Sequence, residues 1–413
     1  VEIDKEFQAA RRVREERVEA ERKALVEAAL ANNPEIASNE NKADSPVEEE
    51  KEDETGRPNL FKRFFAWIIP GGGKSEEEPS RPTTPSRLSF AQLVGTQGGM
   101  TPLLFAVRQG HAESVKTFLT GGADINGPSG DGTTPLLIAT INGHFDLAKD
   151  LLDQGADPTI ASDGGATPLY AAVNMQYAPR TLYPQPTAFR QQHVTHLELM
   201  EAFMAAGADV NARLTKKIWY SGYNFDLSNV NETGATPFWR AAYGSDVEAM
   251  RLLLAWGANP EVPTQKTPRR RRSSDPEEDP SGLPPVPHGG PAVTPLQAAA
   301  GVGYGFGFAA NSHQFHPGGM MRAVKFLVEE LGANVNERDH DGYSAMHHAA
   351  ARGDNEMIEY LVSKGADATF ISRRGQSTID MANGPIQRVE PFPETMALLE
   401  SLGAVNNHNC VSC

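Results

Sequence analysis

Residues 131–161 read DGTTPLLIATINGHFDLAKDLLDQGADPTIA, and residues 341–371 read DGYSAMHHAAARGDNEMIEYLVSKGADATFI. Both stretches pass in the same order through a polar start, an apolar run, a glycine, a second apolar run and a Gly-Ala-Asp ending. Self-similarity at a fixed period indicates a repeat architecture, in which each unit stacks on the next. These stretches therefore decide the fold.

Two short markers give the period. The first is Thr-Pro or a related pair, and it begins at positions 101, 134, 167, 236, 294, 344 and 377. The second is Gly-Ala-Asp or Gly-Ala-Asn, at 122, 155, 207, 257, 332 and 365, with a weaker form at 403. In uninterrupted units the first marker leads to the second by 21 residues and the second to the next first marker by 12. The unit is therefore 33 residues long, and the departures are insertions of 19, 17, 25, 17 and 5 residues.

The second unit shows why each repeat should form two helices. Thr134 precedes Pro135 and an apolar run, which is typical of a helix N-cap followed by proline at the first helical position. Gly143 is expected to end this helix. Leu147 and Leu151 then recur at the spacing of a second helix. Because one such unit cannot bury its apolar face alone, the units must stack.

The period and the markers resemble the ankyrin repeat over about residues 98–407. The resemblance implies an all-α fold, an ankyrin-repeat solenoid of about seven helix-turn-helix units with short β-turn fingers. It also implies that the fingers and the first helices line a concave surface that binds proteins. The expected units lie near 98–130, 131–163, 164–212, 233–262, 292–337, 341–371 and 374–406, within a repeat domain at 86–407.

In the shape that the resemblance implies, the insertions divide between two edges. Those around 213–230 and 263–290 lengthen two neighbouring fingers. Those around 176–194 and 301–319 fall in turns between paired helices, at the opposite edge.

The first enlarged finger and the adjoining groove form the predicted binding site. Aromatic and basic residues in an extra loop are typical of a binding hot spot. Tyr243 lies on the first helix of the fourth unit, at a position that faces the groove in the family. The alternative is that the rings of the inserted finger pack down on the solenoid as a satellite core. The predicted partner-binding residues are Lys216, Lys217, Trp219, Tyr220, Tyr223, Trp239, Arg240 and Tyr243.

The second enlarged finger is polar and rich in proline. Residues 269–272 are four arginines, and an acidic run follows at 275–279, as expected of a solvated loop whose charges partly neutralise each other. Nuclear targeting or phosphate binding is the alternative for the arginines. The later stretch PPVPHGGP, residues 284–291, is a candidate extended peptide ligand.

The last six residues, 408–413, contain Cys410 and Cys413 as a Cys-x-x-Cys pair. A histidine directly after such a pair makes a c-type haem attachment site. An alternative function is therefore an extracytoplasmic redox or electron-transfer protein with haem c, provided that a histidine follows Cys413. Otherwise we expect no cofactor, and the pair is a free dithiol, a disulfide, half of a zinc site shared with a partner, or a tail without function. His313 and His316 lack a convergent carboxylate or cysteine, so no metal site is predicted.

The first 85 residues differ in composition from the repeats. Residues 1–31 are charged and predict a helix, and residues 32–85 predict a mostly disordered linker. Within it, residues 60–69 form an amphipathic segment that is too short to span a bilayer. This segment would lie in a membrane interface, dock on a partner or fold onto the solenoid.

The composition excludes several classes of function. A net charge of -15 argues against nucleic acid as the main ligand. The chain contains no nucleophile elbow, phosphate loop, His-Glu-x-x-His or dinucleotide fingerprint. The chain begins at Val1 with no recognisable signal peptide, so both cytoplasm and periplasm stay open. We therefore expect a monomeric, non-catalytic scaffold that binds a protein partner.

Overall fold

The protein is described here by a computed structural model that covers residues 98–177, 187–218, 230–268, 278–303, 316–385 and 390–410. All of them belong to one compact unit, Ser86–Cys413. The expectations for the charged helix at 1–31 and the linker at 32–85 with its segment 60–69 lie outside the described residues. The same holds for Trp219, Tyr220, Tyr223, the arginines 269–272, His313 and Cys413.

The described part of the chain contains fourteen α-helices in seven pairs, which confirms the predicted all-α solenoid of helix-turn-helix units. Helix α10 continues into a π-helical turn over Phe326–Glu330, and a short 3-10 helix covers Ala188–Gln191. The helices are α1 Pro102–Arg108, α2 Ala112–Thr120, α3 Pro135–Ile141, α4 Phe145–Asp153, α5 Pro168–Gln176, α6 His196–Ala205, α7 Pro237–Tyr243, α8 Val247–Ala255, α9 Pro295–Ala299, α10 Gly319–Lys325, α11 Ala345–Ala350, α12 Asn355–Ser363, α13 Thr378–Ala382 and α14 Pro393–Ser401.

Each first helix begins at the Thr-Pro marker. The Thr134 hydroxyl accepts a hydrogen bond from the Leu137 N–H at 3.2 Å, and Pro135 occupies the first helical position, where its missing N–H costs nothing. The marker is therefore a helix N-cap that satisfies a backbone donor otherwise left free. The same side-chain cap recurs at Thr101, Thr167, Thr236, Thr294 and Ser377.

One apolar core runs through all seven pairs, from Leu103 in α1 to Ala404 after α14. Leucines such as Leu136 and Leu151 are fully buried in it. Each such side chain contributes about 1.5–3 kcal/mol of hydrophobic stabilisation. Ala139 is one of several fully buried alanines, whose small side chains let the paired helices approach closely. The core is thus shared between neighbours and does not belong to single repeats.

Six loops, here called fingers 1 to 6, join successive helix pairs. Backbone hydrogen bonds link each finger to the next, for example from the Asp163 N–H to the Asp131 carbonyl at 2.9 Å and from the Gln265 N–H to the Thr233 carbonyl at 2.7 Å. The fingers therefore form one continuous edge. They cover residues 121–133, 154–166, 206–235, 256–293, 331–343 and 364–376.

The insertion between α5 and α6 lies in the turn between paired helices, and its described end, residues 187–194, packs back onto the second repeat. The ring of Phe189 lies 6.2 Å from that of Phe145. The N–H groups of His193 and Val194 donate to the Asp146 carboxylate at 3.0 and 2.8 Å. Partial burial opposes ionisation of Asp146, but these bonds outweigh it and lower its pKa. These contacts fix residues 187–194 against the turn between α3 and α4.

The N-cap account predicts the effect of Thr134→Ala. Loss of the hydroxyl leaves the Leu137 N–H buried without its acceptor, so the free energy of unfolding should fall by about 1 kcal/mol. Urea denaturation followed by far-UV circular dichroism measures this change. Thr117→Ala is the matched control, because Thr117 is an exposed mid-helix residue of α2. Equal stability of Thr134→Ala and the control would contradict the account.

Candidate binding surface

The three predicted contact residues on α7 are buried. Trp239 and Arg240 are 0% exposed and Tyr243 is 3% exposed. The indole N–H of Trp239 donates to the Val293 carbonyl at 2.9 Å, and the rings of Trp239 and Tyr243 lie 5.3 Å apart. The expectation that these side chains line an open groove and touch a partner is therefore wrong, because other parts of the chain cover them.

A second apolar cluster explains this burial. Leu214 and Ile218 from the start of finger 3, and Val230 from beyond its undescribed part, pack with Trp239 and Tyr243. We call this cluster the finger core. The described ends of the inserted finger therefore pack on the solenoid. The alternative that the rings of this finger form a satellite core stays a prediction, because Trp219, Tyr220 and Tyr223 lie outside the described residues. The finger core consists of Ala166, Tyr170, Leu214, Ile218, Val230, Ala235, Trp239, Tyr243, Ala292, Val293, Ala298 and Val302.

Arg240 links two neighbouring repeats through hydrogen bonds of its side chain. Its Nε donates to the Asn174 side-chain oxygen at 2.7 Å, and its Nη2 donates to the Tyr177 carbonyl at 2.5 Å. The guanidinium also lies 5.4 Å from the centre of the Tyr243 ring. A buried cation is tolerated only with such partners. Arg240 therefore ties α7 to α5, with its charged group turned inward.

The two predicted lysines of finger 3 have a different environment. Lys216 is exposed, and Lys217 is half-buried with its Nζ 3.4 Å from the Val230 carbonyl. Both follow Leu214, whose backbone N–H donates to the Ala235 carbonyl at 3.0 Å and whose carbonyl accepts from Gly234. The finger core thus holds the base of finger 3 in place and leaves Lys216 accessible.

Arginines link neighbouring fingers. Arg213 donates from Nε to the Gly234 carbonyl of its own finger at 2.8 Å and from Nη2 to the Pro263 carbonyl of finger 4 at 2.6 Å. Arg338 makes the equivalent pair of bonds in finger 5, the second one reaching the Ile371 carbonyl of finger 6 at 2.8 Å. Both arginines stand six residues after the Gly-Ala marker of their unit. The finger edge is therefore held by side chains as well as by the backbone.

Charge changes along this edge. Fingers 1 and 2 contain acidic side chains such as Asp124 and Asp157 and neither lysine nor arginine. From finger 3 onward basic side chains appear on every finger. They are Arg213, Lys216, Lys217, Lys266, Arg338, Lys364, Arg373 and Arg374 among the described residues. The same fingers also contain acidic side chains, so their surface has mixed charge and the basic side chains are separate potential contacts for an acidic partner. The acidic side chains among the described residues are Asp209, Glu232, Glu261, Glu278, Asp279, Glu337, Asp339, Asp341 and Asp367.

Three exposed aromatic residues were not singled out from the sequence. Phe105 on α1 is 50% exposed, Phe118 on α2 is 37% exposed, and Trp256, the first residue of finger 4, is 42% exposed. The position of Phe105, four residues after the Thr-Pro threonine, is buried in the second repeat, where it is Ile138. Its exposure depends on its place in the first described repeat, which a single sequence does not show.

A buried group of titratable residues has a structural role. Burial lowers the pKa of His347 and of His348 to about 3 and raises that of Asp339 to about 8. Strong pKa shifts also mark active sites. Here, however, two of the groups bond the backbone, since His347 Nδ1 accepts from the Ser344 N–H at 3.1 Å and Asp339 accepts from the Tyr343 N–H at 2.9 Å. The third, His348, lies with its Nε2 4.0 Å from the Asp339 carboxylate, and neither of its ring nitrogens has a hydrogen-bond partner among the described residues. His347 and Asp339 thereby hold the start of α11 against finger 5.

The cysteine pair and the histidines are the remaining candidates for a chemical site, and their described members do not lie together. Cys410 is disulfide-bonded, and Asn383 Nδ2 lies 3.4 Å from its sulfur. The haem c hypothesis stays a prediction, because Cys413 is not described.

His316 accepts from the Gly318 N–H at 2.9 Å and lies 3.5 Å from Glu248. Within the described ranges, no three His, Cys, Asp or Glu side chains group as metal ligands, and no helix is long and apolar enough to cross a membrane.

Comparison with known families agrees with the architecture. Models of ankyrin repeats match residues 88–162 in a three-copy form and 310–362 in a many-copy form, and the model of a single ankyrin repeat matches 233–265. These matches fall at the start, the middle and the later part of the solenoid.

Individual relatives match short segments. The chain is 41% identical over 59 residues to the ankyrin repeat protein L271 of Acanthamoeba polyphaga mimivirus, covering 14% of this chain and 8% of that protein. It is 38% identical over 58 residues to the ankyrin repeat protein L92 of the same virus, covering 14% of each. It is 33% identical over 49 residues to the serine/threonine-protein kinase TNNI3K of Mus musculus, covering 12% of this chain and 6% of the kinase. The chain thus spans 6–14% of the length of these relatives.

Among solved structures, the human ASB11 ankyrin repeat domain is similar, with a TM-score of 0.42 and 22% sequence identity. The match covers 72% of this chain and 97% of that domain.

The burial of Trp239 predicts a large loss of stability in Trp239→Ala. Removing the ring leaves a cavity in the finger core, so the free energy of unfolding should fall by about 3–5 kcal/mol. Trp256→Ala removes the same side chain from an exposed position and should change it by less than about 0.5 kcal/mol. Urea denaturation of the two variants compares them directly. Similar small losses in both would mean that Trp239 is a surface residue.

Proposed function

Since the chain is an ankyrin-repeat protein, we propose that it is a non-catalytic scaffold that binds a protein partner through the edge formed by fingers 3 to 6. Ankyrin repeats are generally protein–protein interaction modules. In this proposal the scaffold acts as a monomer, and the partner contacts the finger edge at and beyond Lys216. The fold alone does not specify a partner, so the site has to be argued from particular side chains.

The observation that carries the proposal is the exposed Lys216, which belongs to the run of basic side chains that fingers 3 to 6 contribute between their acidic ones. Lys216 is exposed and stands on a base that the finger core holds in place. A surface whose backbone is already ordered loses little conformational entropy when it binds. Basic side chains on such a surface attract and orient an acidic partner.

Aromatic residues next to this run support the same surface. Trp219, Tyr220 and Tyr223 follow the two lysines directly in the sequence, and we keep them as proposed contacts. Trp256 adds an exposed ring at the start of finger 4. Aromatic anchors among basic residues are the composition that binding hot spots favour. Trp239, Arg240 and Tyr243 contribute by supporting the edge from beneath.

The proposal predicts that Lys216→Glu combined with Lys217→Glu removes partner binding without unfolding the protein. Reversal of two charges at the proposed contact should weaken the complex at least about tenfold. Quantitative affinity capture from a lysate of the source organism, with the intact chain immobilised, measures which proteins are retained in each case.

The matched control is Lys116→Glu combined with Lys149→Glu, which changes the net charge equally on the second helices α2 and α4. Proteins bound by the unmodified chain and by this control should be lost from the finger variant. If the finger variant retains the same proteins in the same amounts, finger 3 is not the binding site.

A further inference from the structure

A proline-rich part of finger 4 lies across the finger edge. Residues 278–290, EDPSGLPPVPHGG, belong to finger 4 and contact Arg373 of finger 6. We call this segment the strap. Between a turn at residues 280–281 and another at 288–289, Pro284, Pro285 and Pro287 restrict the backbone and remove backbone donors. The carbonyl groups of this stretch are therefore available to accept hydrogen bonds.

One arginine of finger 6 holds the first half of the strap. Arg373 forms an ion pair with Asp279, and its guanidinium also donates to the Leu283 carbonyl at 3.2 Å and to the Pro284 carbonyl at 2.6 Å. The Nε of Arg373 donates to the His340 carbonyl of finger 5 at 2.9 Å. Arg373 is therefore fixed from below by finger 5 and presents its remaining donors to the strap.

One lysine holds the second half. The Nζ of Lys266 donates to the Val286 carbonyl at 2.7 Å. Its backbone N–H donates to the Gly290 carbonyl at 2.9 Å, and its own carbonyl accepts from the Gly289 N–H at the same distance. The backbone of Lys266 thus binds the end of the strap, and its side chain binds the carbonyl of Val286, a few residues earlier in the strap.

These contacts have the chemistry of peptide recognition. The side-chain contacts from Arg373 and Lys266 reach backbone carbonyls and one carboxylate of the strap, groups that any extended acidic peptide with the same spacing would offer. A proline-rich peptide loses little conformational entropy on binding, because its backbone is already restricted in the free state.

We propose that the edge between Lys266 and Arg373 is a binding site for an extended, proline-containing acidic segment of a partner protein, and that the strap occupies this site until the partner displaces it. This inference rests on the proposed scaffold function and names the chemistry of the partner. The strap is attached to the site, so its effective concentration is on the order of millimolar. A partner segment can displace the strap only if its affinity and concentration together outweigh this effective concentration.

The test uses a labelled synthetic peptide with the strap sequence EDPSGLPPVPHGG and the full-length chain. Asp279→Lys places a positive charge beside Arg373 and should release the strap while leaving the edge intact. Fluorescence anisotropy should show that the peptide binds Asp279→Lys at least about tenfold more tightly than the unmodified chain.

Two further variants locate the site. Adding Arg373→Ala or Lys266→Ala to Asp279→Lys should each weaken peptide binding at least about tenfold. Adding Lys364→Ala should not, because Lys364 belongs to finger 6 but pairs with Glu329 at 3.0 Å. A peptide in which the aspartate is replaced by asparagine should also bind more weakly, since it lacks the charge that meets Arg373.

Several results would overturn the inference. They are failure of Asp279→Lys to bind the peptide, equal binding by the Arg373→Ala and Lys364→Ala combinations, and equal binding of the asparagine peptide. Light scattering provides one more, because a dimer of the unmodified chain would assign the edge to the strap of a second copy. None of these results depends on the partner captured through Lys216 and Lys217, so failure here is distinguishable from failure of the proposed function.

Discussion

The burial of each first helix between its neighbours is the constraint on which the rest of the structure depends. Helix α7 is buried along its whole length, and so is α3. A helix of seven residues gains too little from its own hydrogen bonds to be stable alone. Its stability comes from the apolar side chains that the next repeat covers. The Thr-Pro caps and the small alanines serve this packing, because they fix where each helix starts and how closely the next can approach.

This constraint decides where function can lie. Because the described first helices from α3 onward present few accessible side chains, the surface available to a partner is carried by the fingers and by the exposed faces of the second helices. The fingers are ordered by the finger core, by Arg213 and Arg338, and by backbone bonds between neighbours. Insertions in the fingers lie outside the core that the helix pairs share. The strap is one such insertion, and it binds the finger edge through Lys266 and Arg373.

Much of the fold could be predicted from the sequence because the period is a local property. Thr134 and Gly143 mark helix ends through short-range hydrogen bonds and backbone preferences, and these act the same way in every repeat. The placement of the insertions follows from the same arithmetic.

The side-chain environments could not be predicted in the same way. Arg240 was expected at a surface, but its acceptors on Asn174 and Tyr177 are more than sixty residues away. Arg373 meets Asp279 across an even longer separation. One local signal was present and was not used: Leu214 and Ile218 are apolar residues four apart, directly before the aromatic residues of finger 3. Apolar residues at such a place indicate that the base of the loop packs inward.

The most direct measurement of the central claim, that the finger edge is an ordered extension of the solenoid core, is amide hydrogen exchange of the full-length chain. Across the base of finger 3, the Leu214 N–H donates to the Ala235 carbonyl and the Gly234 N–H donates to the Leu214 carbonyl. The account predicts that they exchange as slowly as the amides of α7, because the finger core covers both. Exchange of Leu214 and Gly234 at the rate of an unstructured chain, while α7 stays protected, would contradict it.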